Sequence, residues 1–234
     1  MNMEFAADGP MALPLWINGH AYLTVGDAFF DVSNPKTGEA IRRVPLCGAN
    51  EAAEAVKAAR AAQPEWAEMG MPARRVCLNA LADALDRYTG HFAKLLQQEA
   101  DIDEAAARAE VESAVAALRA TAVGDTGVIG VVVDAVNSLA GFAQAMAPAV
   151  LAGATVVVKP SPRAPSAIYA LCELSARAEW PAGILNLLQG DSAAIEGLCL
   201  AAVDRLLYAG NAALGAQVGA IAAAAGTPFV QLAR

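Results

Sequence analysis

Hydrophobic positions along this chain follow two rhythms, and the change between them falls near Gly124. Beyond that glycine, short runs rich in Val, Ile and Leu at 128–133, 154–158, 184–188, 205–208 and 228–232 alternate with longer alanine-rich stretches. Unbroken apolar runs of this length suit strands buried on both faces, and the stretches between them are long enough for crossover helices. This half predicts an α/β fold built on a doubly wound parallel sheet. Such sheets bind ligands beyond the carboxyl ends of their strands, so the turns after 158, 188 and 208 are where function is expected.

The first half is patterned otherwise. Residues 15–17, 22–25 and 41–44 are short β-prone runs, separated by the turn signals Asn18-Gly19 and Asn34-Pro35-Lys36-Thr37-Gly38. Asn50 is a good N-cap and Glu51 suits a first turn, which predicts a helix over about 51–66 with Pro64 kinking or shortening its end. Pro72 opens a second helix through Arg87, striped by Leu78, Leu81 and Leu85, and Gly90 marks its stop. Further helices are expected over 91–100 and 103–121. One domain then spans 15–234, a Rossmann-like sheet with a helical and β-rich N-terminal segment, after a leader over 1–14 whose composition predicts mobility.

Composition narrows the class of function. Hydrophobic residues make up 56% of the 234, yet much of this is alanine, and no run reaches the roughly 20 strongly apolar residues of a membrane span. Glu4 and Asp8 stand where a secretory signal would be basic, so the expected location is the cytoplasm. The net charge of −8, with no long basic run, offers no footprint for nucleic acid. The four cysteines (Cys47, Cys77, Cys172, Cys199) are scattered and there are only two histidines, His20 and His91, a pattern that predicts neither a metal site nor a disulfide framework. Cys172 sits on an apolar helical face and reads as core.

The three strand-end turns carry distinctive chemistry. Val158-Lys159-Pro160-Ser161-Pro162 holds a lysine between a strand and two prolines, Gln189-Gly190 ends the second run, and Gly210-Asn211-Ala212-Ala213-Leu214-Gly215 follows the third. Glycines at a helix start let backbone approach a phosphate, which free N–H groups and the helix dipole would then hold. The same residues also have plainer readings. Lys159 can be an exposed lysine on a proline turn, Asn211 an N-cap, and Gly210 and Gly215 the small residues of a tight turn and close helix–strand packing.

Together these segments resemble the coenzyme-binding region of the aldehyde dehydrogenase superfamily. The resemblance rests on Trp16-Ile17-Asn18-Gly19, Asn34-Pro35-Lys36-Thr37-Gly38-Glu39, Gly127-Val128-Ile129-Gly130, the long run from Ala147 through Gly153 to Ser161, and Pro181-Ala182-Gly183-Ile184-Leu185-Asn186. It implies NAD or NADP as cofactor, with Lys159 on the adenosine ribose and the Gly210 turn facing the pyrophosphate. Ser161, Gly190, Asn211 and Gly215 complete the expected cofactor-binding set.

The same resemblance exposes departures. The superfamily's reaction uses a cysteine nucleophile, an oxyanion-stabilising asparagine and a glutamate base. The nucleophile belongs to a catalytic domain that is expected to be absent here, and none of the four cysteines stands in its context. Val230-Gln231-Leu232-Ala233-Arg234 places alanine where the base is expected, and Asp134-Ala135-Val136-Asn137-Ser138 replaces the segment bearing the oxyanion asparagine, with Asp134 and Asn137 read as solvated loop residues. Pro162 replaces an acid expected to assist Lys159. Between Arg119 and Gly127 there is no room for the hairpin with which members exchange strands.

No catalytic residue is therefore assigned. The expected function is a non-catalytic binding or accessory subunit; the alternative is the coenzyme-binding part of an NAD(P)-dependent aldehyde dehydrogenase completed in trans by a partner chain. The helix expected over 211–225 carries no charged residue, which predicts that it is wholly buried or packed on another chain. The partner is then a second copy or a hetero-complex, a full-length relative being one candidate.

Overall fold

The structure, a computed structural model, describes residues 9–24 and 28–232. Its first elements are β1 (Leu15–Ile17) and β2 (His20–Tyr22), an antiparallel hairpin whose turn places Asn18 and Gly19 at φ 54° and 79°. Asparagine and glycine tolerate this left-handed backbone at least cost, so the hairpin follows from the dipeptide. A second hairpin pairs β3 (Phe29–Ser33) with β4 (Ala40–Pro45). The sequence pattern did not predict β3, and of the run expected at 22–25, Val25 lies outside the described residues. Residues 1–8 of the expected leader lie outside them too, while Leu13 N–H donates to Arg43 O at 2.8 Å and Arg43 N–H to Met11 O at 3.2 Å.

Four helices follow: α1 (Ala49–Glu68), α2 (Met71–Arg87), α3 (Thr89–Glu99) and α4 (Glu104–Arg119). Two expectations are corrected. Helix α1 starts earlier, with Glu51 Oε2 accepting from Gly48 N–H at 3.1 Å, so Asn50 lies inside it, and it runs through Pro64 to Glu68 rather than ending there. Gly90 does not stop α2; Tyr88 does, and Gly90 lies in the first turn of α3. Asp103 caps α4 by accepting from Ala106 N–H. Buried Arg74 ties this layer together by donating to Leu151 O, Trp66 O and Ala67 O, occupying carbonyls that helix ends leave free.

From Val128 the alternating rhythm folds as its pattern predicts. The elements are β5 (Val128–Val133), α5 (Ser138–Ala152), β6 (Thr155–Lys159), α6 (Ser166–Arg177), β7 (Leu185–Leu187), α7 (Ser192–Leu200), β8 (Arg205–Ala209), α8 (Ala212–Ala224) and β9 (Phe229–Gln231). Residues 120–127 connect α4 to β5 without a hairpin. Strands β5 to β9 are parallel, and β1 extends the sheet by pairing antiparallel with β7 to give the order β2-β1-β7-β6-β5-β8-β9.

Two apolar cores form because β5 and β6 are buried on both faces. Helices α2 to α6 cover one face, with Leu78, Leu81, Leu85, Phe142 and Ile168 fully buried. Helices α1, α7 and α8 cover the other, with Ala52, Val56, Leu198 and Val218 packed on Val132, Val157 and Leu206. Each fully buried leucine of the α2 stripe contributes about 2 kcal/mol by leaving water. Among the described residues no helix is long and apolar enough to cross a membrane.

Candidate ligand-binding site

The strand order fixes where a crevice can open. Chain progression runs outward from β5 through β6 and β7, then crosses back to β8, so β5 and β8 flank the point where the winding reverses. Loops from these two strands diverge onto opposite faces, and ligands of doubly wound sheets bind in the gap. Four turns meet at this end of the sheet: 134–137 after β5, 160–165 after β6, 188–191 after β7 and 210–211 after β8.

Lys159 ends β6 and is 5% exposed, which overturns its reading as an exposed lysine on a proline turn. It lines a cavity of about 200 Å³ together with Ser161, Pro162, Asp191 and Ser192, whose apolar wall comes from Val132, Ile195, Leu214, Val218 and Ile221. Burial pulls its amine down from the ordinary lysine value to about 8, against the opposing pull of Asp191. Among the described residues the ammonium makes no hydrogen bond; the Asp191 charge is its electrostatic partner. A donor that makes no hydrogen bond within the fold and lines a cavity is free to meet a ligand there.

The β5–β8 gap itself is stitched shut. Asp134, which the sequence reading placed in a solvated loop, is 8% exposed. Its Oδ2 accepts from Asn211 N–H at 3.2 Å and from Asn211 Nδ2 at 2.6 Å, and its backbone N–H donates to Ala209 O at 3.0 Å. Asn211 caps α8 as its side-chain reading predicts, its Oδ1 accepting from Leu214 N–H at 2.9 Å. Two donors at the start of α8 are thus already used, one of them by a carboxylate. Asn137 is exposed with φ 51° and makes no side-chain cap to α5; Leu139 N–H at that helix start is instead met by buried Glu110 at 2.9 Å.

Of the six cofactor residues expected, Lys159 and Ser161 come together around the cavity; Gly190, Gly210, Asn211 and Gly215 do not line it. A Cβ on Gly210 would collide with the Tyr208 hydroxyl and stand 2.7 Å from Asp134 Cβ, and one on Gly215 would collide with Gln231 Oε1. A Cβ on Gly190, at φ 129°, would stand 3.0 Å from the Cys47 backbone nitrogen. Close packing accounts for all three. Asp191 is the cavity residue that the sequence reading did not single out; its place after a strand end is the signal that could have found it.

The thiols are electrostatically quiet. Burial raises all four, Cys47 to about 12 with help from Glu51, and Cys172 sits fully buried in the α6 core as its helical position predicts. A thiol held neutral at physiological pH is a poor nucleophile. Glu99 is also buried and pushed up to about 6; its carboxylate accepts from Ser166 N–H and the Ser166 hydroxyl at the start of α6.

A parallel sheet crossed back at β8, with a lysine-lined cavity beyond its strand ends, defines a Rossmann-like α/β fold. The chain belongs to the aldehyde dehydrogenase family, whose model matches residues 23–126 and 125–232. It is 34% identical over 208 residues to the N-succinylglutamate 5-semialdehyde dehydrogenase of a Caulobacter species, an alignment covering 78% of this chain and 42% of that one. With the malonate-semialdehyde dehydrogenase of Pseudomonas aeruginosa it shares 32% over 191 residues, 72% of this chain and 38% of the relative. In structure it resembles an aldehyde dehydrogenase from Burkholderia cenocepacia (27% identity, TM-score 0.85, 94% of this chain, 50% of that one). It also resembles a mutant of aldehyde dehydrogenase C from Pseudomonas syringae complexed with NAD+ and octanal (25%, TM-score 0.87, 94% and 50%). The chain spans about half the length, or less, of these proteins.

Proposed function

We propose that this chain is a non-catalytic binding or accessory member of the family, with the Lys159 cavity as its ligand site. The single observation that carries the reading is the Asp134–Asn211 bridge. It places an internal carboxylate where the family likeness puts a diphosphate, and like charge there opposes an anionic ligand. The adenosine end of such a ligand fits the residues present, since Lys159 offers an unpartnered donor to a ribose hydroxyl beside apolar walls. The diphosphate end does not fit, and no hydride-transfer step is derived. The quiet thiols and the alanine at 233, which lies outside the described residues, support the same reading. Its test is direct: purified chain with short aldehydes and NAD or NADP is expected to give no NAD(P)H absorbance, whereas turnover sensitive to thiol reagents contradicts it.

A second reading, a coenzyme-binding part completed in trans, is favoured by one feature. The exposed face of α8 is uncharged, with Ala213, Ala216, Ala220 and Ala224 open to solvent, as a docking face for another chain would be. Co-purification followed by an aldehyde oxidation assay separates the two: activity of the recovered complex that is unchanged when this chain is left out removes the catalytic role.

A further inference from the structure

Burial acts in opposite directions on thiols and amines. Taking either group out of water disfavours its charged form, which for a thiol is the nucleophile and for a lysine is not. The thiols of Cys47, Cys77, Cys172 and Cys199 are therefore silenced by the same physics that frees an electron pair on Lys159. The other three lysines, Lys36, Lys57 and Lys94, are exposed. Among the described residues Lys159 is thus the amine that is both buried and placed on a cavity wall.

We propose that Lys159 is a covalent carbonyl-binding site, capturing small aldehydes as an imine inside the cavity between β6, α7 and α8. The amine has no hydrogen-bond partner to hold its lone pair. The cavity, about 200 Å³, holds roughly six or seven waters' worth of space, enough for a short-chain carbonyl compound. Among the described residues Asp191 is the only other charged one lining it, and Ser161 and Ser192 add hydroxyls. The Nζ lone pair attacks the carbonyl carbon, forming the C–N bond while the carbonyl oxygen takes a proton and becomes hydroxyl. Nζ gives up its two protons to that oxygen, which leaves as one water, and the C=N bond forms; Asp191 lines the same cavity as the acceptor through which those protons can be relayed. Nothing is oxidised or reduced. Ile195, Leu214, Val218 and Ile221 give the cavity an apolar wall, while exposed Asp191 and Ser192 keep it open to solvent, so the imine forms reversibly and is fixed by reduction. Buried lysines that lose their charge are the ones suited to this chemistry.

This inference uses the cavity of the proposed function but not its nucleotide. The experiment is reductive trapping: the full chain is incubated with propionaldehyde and cyanoborohydride near pH 8, digested, and mapped by mass spectrometry. The fall from the ordinary value of 10.5 to about 8 leaves about a hundredfold more unprotonated amine at that pH. Propylation of Lys159 is expected to outpace that of Lys36, Lys57 and Lys94 by roughly tenfold or more, allowing for the weaker basicity of the buried amine, with an inflection near pH 8. Asp191→Asn is expected to slow it. Lys159→Arg, checked by circular dichroism to be folded, removes the fast site and leaves the other three unchanged. Trapping at Lys159 no faster than at the exposed lysines overturns the proposal, even where NAD shifts the melting temperature. Fast trapping that saturating NAD does not protect leaves it standing and removes the nucleotide reading instead.

Discussion

Asp134 and Asn211 join the ends of the two strands that flank the reversal of the sheet, through a backbone contact of 3.2 Å and a side-chain contact of 2.6 Å to one carboxylate oxygen. Half-buried hydrogen bonds to a charged acceptor are each worth about 1.5–3 kcal/mol. Asp134→Ala is therefore expected to lower stability by a few kcal/mol in urea unfolding. It is also expected to enlarge the melting-temperature rise given by NAD, because it removes the charge that opposes a diphosphate. A variant that loses stability without any gain in NAD response would separate the structural role of the bridge from its effect on ligands.

Glu99 gives a pH dependence with a definite sign. Burial raises it from 4.5 to about 6 in the fold, so the native state holds this proton more tightly than the unfolded chain does. The group's contribution is complete below about pH 4.5 and is lost as pH rises through about 6. The difference corresponds to about 2 kcal/mol. Glu99→Gln keeps an acceptor for Ser166 and removes the titration. Comparing urea unfolding of the two proteins near pH 5 and near pH 7.5 is expected to show the natural chain losing ground on the variant as pH rises.

Arg74 is 6% exposed and serves the carbonyls of Trp66, Ala67 and Leu151. Arg74→Met strands these acceptors and is expected to cost about 3 kcal/mol or more. Arg74→Lys should recover only part of this, since one ammonium cannot reproduce the planar fork. Denaturant midpoints of the three proteins check the order.

Helix α8 buries only Gly215, Val218 and Ala222 along its length. It is not wholly buried, so of the two outcomes its uncharged sequence predicts, the one left to test is a partner chain. Ala224→Glu places a charge on the outer face beside Leu200, itself 72% exposed. Light scattering is expected to show an assembly for the natural chain and a smaller particle of unchanged circular dichroism for the variant. A monomer in both cases, with no partner recovered from the native cell, removes the interface.

The parallel sheet was legible because its central strands β5 and β6 are nearly continuous apolar runs, as burial on both faces requires. β3 was not, since Phe29, Asp31 and Ser33 are exposed and its pairing with β4 is set by position rather than by apolar content. Pro64 misled because it removes one donor in a helix whose Trp66 and Gln63 are anchored to Val150 O and Gly153 O beyond it. At the site, Asn211 was readable as a cap from local sequence alone. The burial of Lys159 and Asp134 was not, since both depend on α7 and α8 returning across the sheet, a long-range packing that no local pattern records.

A binding site that keeps its lysine but has closed its diphosphate turn is probed by thermal-shift titration with adenosine monophosphate and with NAD. A ligand at a hundredfold excess over its Kd adds about 2.7 kcal/mol. Both ligands are expected to raise the melting temperature by several degrees, NAD no more than the monophosphate, and Lys159→Ala to abolish both rises. A much larger rise with NAD while Asp134 is intact, or no rise with either ligand in a folded chain, would contradict the account.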